Sequence, residues 1–307
     1  MQRTMLATTV RIANSLGGKR GGGDREVYRR YTLNDQRIGK KYGFKATTIE
    51  VDKQVPGPVW ELIGQSVERE LRGSRYRRRS PLQRAMSKTT LDVRTLWERE
   101  ERDQSVEAPR WMMLLYYVIC HGLDRLYEEE PIQRFWFLET IARMPYFSYV
   151  TVYHMYETFG VWEINSSAKL LHIVEELNEC HHLRVMELLG GGRRWRDRFL
   201  ARHVALVYYL TLLLLFMVSP KEAYLTSELL ESHAVFTYKQ FLEENEALLK
   251  GIQAPAECKG YYEENQLYRD SILSNPRDPN TLYDVFWNIL HDEECHSDVM
   301  RVMRGGI

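Results

Sequence analysis

The chain has 307 residues, a length that fits two domains of about 150 each. With 44% hydrophobic, 27% charged and 12% aromatic residues and only four Cys, collagen-like, disordered and disulfide-scaffold classes are excluded. Basic and acidic side chains both number 42, but residues 1–105 hold 23 basic against 13 acidic and residues 106–307 hold 19 against 29. A basic leader is joined to an acid-rich body.

Three parts follow in chain order. Residues 1–45 read as a transit peptide or disordered leader. Met1 to Gly23 carries no acid, four basic residues (Arg3, Arg11, Lys19, Arg20) and no long apolar stretch of a secretory signal. Residues 46–105 form a basic extension. Its arginine-dense stretch, 68–79, lacks any nucleic-acid reading module, so no nucleic-acid partner is expected. Residues 106–307 are the catalytic body, and there the pattern is helical. Helices are predicted over Pro109–Leu126, Pro131–Thr158, Ser166–Leu189, Arg194–Val218, Ser219–Lys250 and Thr281–Met303. Gly190-Gly191-Gly192, Ser219-Pro220 and Gly305-Gly306 punctuate them. No alternating strand pattern competes, so the expected fold is all-α. The longest apolar run, Val204 to Val218, has 15 residues, short of the roughly 20 a spanning helix needs.

Four of these helices carry chemistry. Glu179-Cys180-His181-His182 and Glu293-Glu294-Cys295-His296 each contain Glu-x-x-His. Residues three apart lie about 60° apart on one helix face, so each pair can hold one metal ion. One such pair alone is also what a solvated face or a core histidine produces. Two of them, each preceded by a helix with a Glu among apolar residues (Glu139 in Phe137-Leu138-Glu139-Thr140, Glu231 in Leu229-Leu230-Glu231-Ser232), complete a two-metal bundle set. Carboxylates with one imidazole per metal suit iron or manganese. The four Cys form no C-x-x-C, which argues against zinc.

The stretch from Arg134 to Phe147, Arg-Phe-Trp-Phe-Leu-Glu-Thr-Ile-Ala-Arg-Met-Pro-Tyr-Phe, resembles the second-helix motif of the alternative oxidases, in the wording of their plastid branch. His154-Met155-Tyr156-Glu157-Thr158-Phe159-Gly160, Asn178 to Leu183, Asp197 to Ala201, Glu231-Ser232-His233-Ala234 and Leu282 to Phe286 resemble the same branch. The mitochondrial branch has Glu-Glu-Glu-Ala where this chain has Glu231 to Ala234, and residues 261–280 resemble a plastid-branch insertion. The likeness covers about 106–304.

The resemblance implies a ferritin-like di-iron four-helix bundle with two additional membrane-facing helices. It implies an enzyme, a plastoquinol (quinol):oxygen oxidoreductase of the thylakoid membrane in plastids, reducing O2 to water with two iron ions. A mitochondrial inner-membrane ubiquinol oxidase and a non-enzymatic iron-binding protein are the alternatives. The iron ligands implied are Glu139, Glu179, His182, Glu231, Glu293 and His296. Tyr238, two helical turns after Glu231, is implied as a redox tyrosine, the alternative being a buried Tyr with a satisfied hydroxyl. Arg134, Leu138, Leu230, Ala234 and Thr237 match quinol-cavity positions. Asn178 and Asp292 match positions that hold ligands in place, and His154 matches a further one for which a core hydrogen bond is an equal reading. Phe216 and His291 depart from the family pattern. A homodimer through the second and third helices, which carry Tyr146, Phe147, Tyr149, Tyr153 and Tyr156, and monotopic attachment to one leaflet through the first and fourth helices are expected.

Overall fold

The computed structural model describes residues 7–10, 46–49, 58, 60–61, 64, 79–161, 166–259 and 276–306. Most of the leader, most of the arginine-dense stretch and most of the 261–280 insertion therefore lie outside the described residues. The chain divides into two units, 1–73 and 74–307. In the first, β1 (Ala7–Val10) pairs in parallel with β2 (Ala46–Ile49), Ala7 opposite Ala46 and Val10 opposite Ile49. The two segments, Ala-Thr-Thr-Val and Ala-Thr-Thr-Ile, are short and β-branched, which suits a strand and escapes a search for alternation.

The second unit is helical. Two helices precede the body expected from charge: α1 (Pro81–Met86), with a Ser80–Gln83 capping box, and α2 (Val93–Asp103), capped by Asp92. Then come α3 (Arg110–Tyr127), α4 (Pro131–Ala142), α5 (Met144–Thr158), α6 (Ser166–Leu189), α7 (Trp195–Val218), α8 (Pro220–Lys250) and α9 (Leu282–Gly305). The single helix predicted over 131–158 is two. Pro145, in the first turn of α5, has no N–H for the Ile141 carbonyl, which accepts from Arg143 instead.

The bundle core is made by α4 with α5, α6, α8 and α9. Helices α8 and α9 run antiparallel: Glu228 near the start of α8 meets Arg301 and Arg304 near the end of α9. Phe135, Phe241, Phe286 and Ile289 are fully buried between them, each contributing roughly 1.5–3 kcal/mol. The α6–α7 turn is glycine for two reasons. Gly190 and Gly192 have positive φ, and a Cβ on Gly191 or Gly192 would lie about 2.5 Å from Trp136.

The aromatics of α5 belong to this core. Tyr146, Tyr149 and Tyr153 are buried and point inward with Phe216 and Tyr224, and of the five named for a subunit interface Phe147 alone is well exposed. The apolar surplus lies elsewhere. On α3 the inward stripe is Met112, Tyr116, Cys120 and Leu123, while Trp111, Leu114, Leu115 and Val118 face outward. On α7 Asp197, Ala201, Ala205, Leu212 and Phe216 face inward, while Leu206, Val207, Leu210, Leu214 and Val218 are exposed. Because α7 begins at Trp195, it is 24 residues long, and among the described residues it is the helix long and apolar enough to cross a membrane.

Candidate metal centre

Four elements deliver the ligand-type side chains to one point. Glu139 comes from α4, Glu179 and His182 from α6, Glu231 from α8, Glu293 and His296 from α9. All six are buried to within 4% of full exclusion from solvent. Their ligand atoms fall into two groups, each within 4.8 Å: Glu139, Glu179, His182 and Glu293, and Glu179, Glu231, Glu293 and His296. Glu179 and Glu293 belong to both groups. The two overlapping groups could hold two cations side by side, with Glu179 and Glu293 available to both.

Several of the donor atoms lack other partners. Glu139 Oε2, both Glu179 oxygens, His182 Nδ1 and both His296 nitrogens make no hydrogen bond, although His182 Nδ1 lies 3.2 Å from Glu293 and His296 Nδ1 2.7 Å from Glu179. Buried ionisable atoms without partners are costly, and four carboxylates in one dry volume demand cations. The donor set of four carboxylates and two imidazoles therefore fits iron.

Electrostatics shows the same strain in the metal-free protein. Burial, then repulsion from Glu179, pushes Glu139 up to about 8 and Glu231 up to about 7, and raises Glu293 well above the usual range. Burial also opposes ionisation of Glu179, but the adjacent His182 and His296 outweigh it and lower its pKa. Burial disfavours charge on the histidines, yet Asp292 and the glutamates raise His182, and Glu179 brings His296 up to about 9.

The surrounding residues orient this set. Asp292 Oδ2 accepts from His182 Nε2 at 3.1 Å and from Asn178 Nδ2 at 3.0 Å, which leaves His182 Nδ1 aimed at the carboxylates. The Tyr238 hydroxyl donates to Glu139 Oε1, its ring stacked on Phe135 at 4.3 Å, and burial raises its pKa. A second tyrosine, unforeseen from sequence, does the same across the site: Tyr146 donates to Glu231 Oε1 at 3.0 Å.

A cavity of about 70 Å³ adjoins the cluster. Its wall includes Leu138, Leu230, Ala234 and Thr237, and it ends on Glu139, Glu231, Glu293 and Tyr238. Arg134 is not part of the wall. It is buried behind it, 2.8 Å from Asp124, 2.9 Å from His233 Nε2 and 3.4 Å from Thr237. His154 is not brought to the site: its side chain is 62% exposed and lies 3.6 Å from Glu157. On α5 the inward face is set by Tyr146, Tyr149 and Tyr153, and the next residue points away. Phe216 packs among Tyr149, Tyr153 and Tyr224 and not on the cavity, and His291 stacks on Trp287 on the outer side of α9. Glu100, Asp124 and Tyr146 are buried polar residues near the site to which sequence reasoning gave no role there.

Fold and site define a helical bundle whose buried carboxylates and imidazoles would hold two metal ions. The alternative oxidase family model matches residues 92–304. The chain belongs to the alternative oxidase family, and its cofactor is a pair of iron ions. It is 46% identical over 186 residues to ubiquinol oxidase 4, chloroplastic/chromoplastic, of Arabidopsis thaliana, covering 58% of this chain and 53% of that protein. It is 27% identical over 163 residues to the mitochondrial ubiquinol oxidase of Mangifera indica, covering 53% and 47%. The chain thus spans about half the length of the curated relatives it matches. The family match opens at 92, upstream of the start at 106 drawn from charge, and takes in α2, whose Glu100 is buried against His233.

Proposed function

We propose that this chain is a plastid, membrane-bound quinol:oxygen oxidoreductase that oxidises plastoquinol and reduces dioxygen to water. The observation that carries this reading is the apolar cavity that ends on Glu139, Glu231, Glu293 and Tyr238, because an iron store has no use for an apolar chamber opening on its metals. Glu139, Glu179 and His182 with Glu293 would hold one iron, and Glu231 and His296 with the shared Glu179 and Glu293 the other. When bound, the irons supply four-electron reduction of dioxygen, drawing on two quinols that each release two electrons and two protons.

The protein's own part is positioning and proton placement. Asp292 keeps the proton of His182 on Nε2, so Nδ1 is available to metal. Leu138, Leu230 and Ala234 exclude water from the quinol ring. Tyr238 holds its proton against Glu139, where it can be given up together with an electron. The plastid assignment rests on the greater likeness to the chloroplastic relative than to the mitochondrial one.

Attachment to one leaflet is the reading that the outward apolar faces of α3 and α7 support. Arg110 and Arg125 on α3 and Arg194, Arg196 and Arg202 at the start of α7 provide cations at head-group level. Helix α7 lies lengthwise on the bundle, with Asp197 and Phe216 buried at its two ends, so crossing a bilayer would carry the polar bundle in with it. For a homodimer the outward face is Leu170, Ile173 and Leu177 on α6, which lie on one side of that helix. A monomer by light scattering in mild detergent would count against the dimer. The test of function is oxygen uptake by iron-loaded protein supplied with a plastoquinol analogue, blocked by a gallate-type inhibitor. Iron-loaded protein that consumes no oxygen overturns the proposal.

A further inference from the structure

Behind the cavity wall lies a buried polar assembly that reaches the site from α2, outside the four helices of the metal cluster. Glu100 is 3% exposed. Its Oε2 lies 2.7 Å from His233 Nδ1, and its Oε1 accepts from the Tyr116 hydroxyl. The opposite nitrogen, His233 Nε2, faces Arg134 at 2.9 Å. Arg134 is in turn held by Asp124 at 2.8 Å, and Asp124 accepts from Trp97 of α2 at 2.8 Å. A guanidinium only donates, so Nε2 accepts and the ring proton sits on Nδ1, directed at Glu100. Burial disfavours a second proton on His233, yet Cys120 and Glu100 outweigh it and raise its pKa; the Arg134 guanidinium, which can only donate to Nε2, opposes that second proton. Burial likewise opposes ionisation of Glu100, but the His233 and Tyr116 hydrogen bonds outweigh it and leave a carboxylate.

His233 and Thr237 line the cavity, and Arg134 reaches Thr237 at 3.4 Å. The Thr237 hydroxyl donates to the His233 carbonyl at 2.8 Å. The order from α2 to the cavity is therefore Glu100, His233, Arg134, Thr237, and each link fixes the next. We propose that Glu100 is a positioning residue for substrate binding: it fixes the tautomer and plane of His233, and through it the Arg134 guanidinium and the Thr237 hydroxyl beside the cavity. The inference rests on the reading of the cavity as the quinol site. It assigns to α2 a part in binding that the metal cluster does not require. Without Glu100 the imidazole proton can move to Nε2, where it meets the guanidinium donor to donor, and Arg134 must turn away.

The experiment compares Glu100→Ala, Glu100→Gln and His233→Ala in full-length, iron-loaded protein. Iron content, KM and kcat are read with a short-chain plastoquinol analogue, and thermal unfolding is followed in parallel. Glu100→Ala should raise KM about tenfold with kcat within about twofold and iron content unchanged. Glu100→Gln, whose amide oxygen can still accept from Nδ1, should recover most of that loss. Adding Glu100→Ala to His233→Ala should raise KM no further, because the link is already cut. If Glu100→Ala lowers the unfolding temperature but leaves KM unchanged while His233→Ala raises it, Glu100 is structural only and the proposal is overturned. If no variant, His233→Ala included, alters KM, the cavity is not the quinol site and this inference is overturned, whereas protein that turns over no quinol at all overturns the proposed function itself.

Discussion

Helices α7 and α8 follow each other across Ser219-Pro220 and invert the usual relation between sequence and burial. Helix α7 is the most apolar long helix, yet most of its surface lies outside the protein. Helix α8 is rich in glutamate, yet it buries Glu228, Glu231, His233, Gln240 and Asn245. The polar residues of α8 have partners that account for their burial. Glu228 meets Arg301 and Arg304, Asn245 bonds Thr90, and Glu231 joins the cation site. Among the described residues of the second unit, none covers the outward leucines and valines of α7, the face assigned above to the proposed membrane contact. Burial in this molecule follows what each face must meet, and average polarity is a poor guide to it.

The largest expected effect tests α8 together with α9. Glu231→Ala or Glu293→Ala should abolish oxygen uptake and iron retention, with the helical circular dichroism unchanged. Full activity in either variant would remove the ligand assignment. The mirror test on α7 is Leu210→Asp with Leu214→Asp. Each charge carried into lipid costs up to about 3 kcal/mol, so vesicle binding should fall more than a hundredfold and a carbonate wash should release the protein. Wild-type protein should resist that wash, and its quantitative release would end the interfacial reading of α7.

A smaller effect separates the two tyrosines on either side of the cluster. Tyr238→Phe should lower kcat by about tenfold to a hundredfold with little change in KM, because the hydroxyl on Glu139 is removed and the ring stays on Phe135. Tyr146→Phe should cost less, since Tyr146 does not line the cavity. Equal losses in the two would show that both act alike.

The smallest effect concerns pH. In metal-free protein Glu139, Glu231, Glu293, His182 and His296 are all raised. A raised group contributes stability that is present below its unfolded pKa and lost as pH rises through its folded one. The unfolding temperature of metal-free protein should therefore fall between about pH 5 and pH 9. Iron, by pairing the carboxylates, should flatten that slope. Calorimetry on both forms checks it, and a metal-free protein that gains stability over that range contradicts the direction of these shifts.

The six cluster residues were legible because each motif is local: a three-residue spacing on one helix, or a Glu among leucines. The cavity positions on α4 and α8 came from the family resemblance alone, because no local pattern marks a residue as lining a cavity. His154 was misplaced because a motif match carries no orientation, and one residue is 100° of helix. Glu100, Asp124 and Tyr146 were missed because their partners are 133, 10 and 85 positions away, across helices whose packing angles no local pattern encodes. The tyrosines of α5 suggested a subunit interface because sequence shows their number and not the side they take.

Helix content, the Gly190–Gly192 turn and the ligand set are consequences of short-range geometry and of residue chemistry. They could be read along the chain. Folding alone decided which faces met: that Glu179 and Glu293 are shared by both cation groups, that α2 belongs to the oxidase unit through Glu100, and that the leucines of α7 point outward. Those outcomes depend on how helices far apart in sequence pack, and there the favourable burial of apolar area competes with the cost of every unpartnered charge.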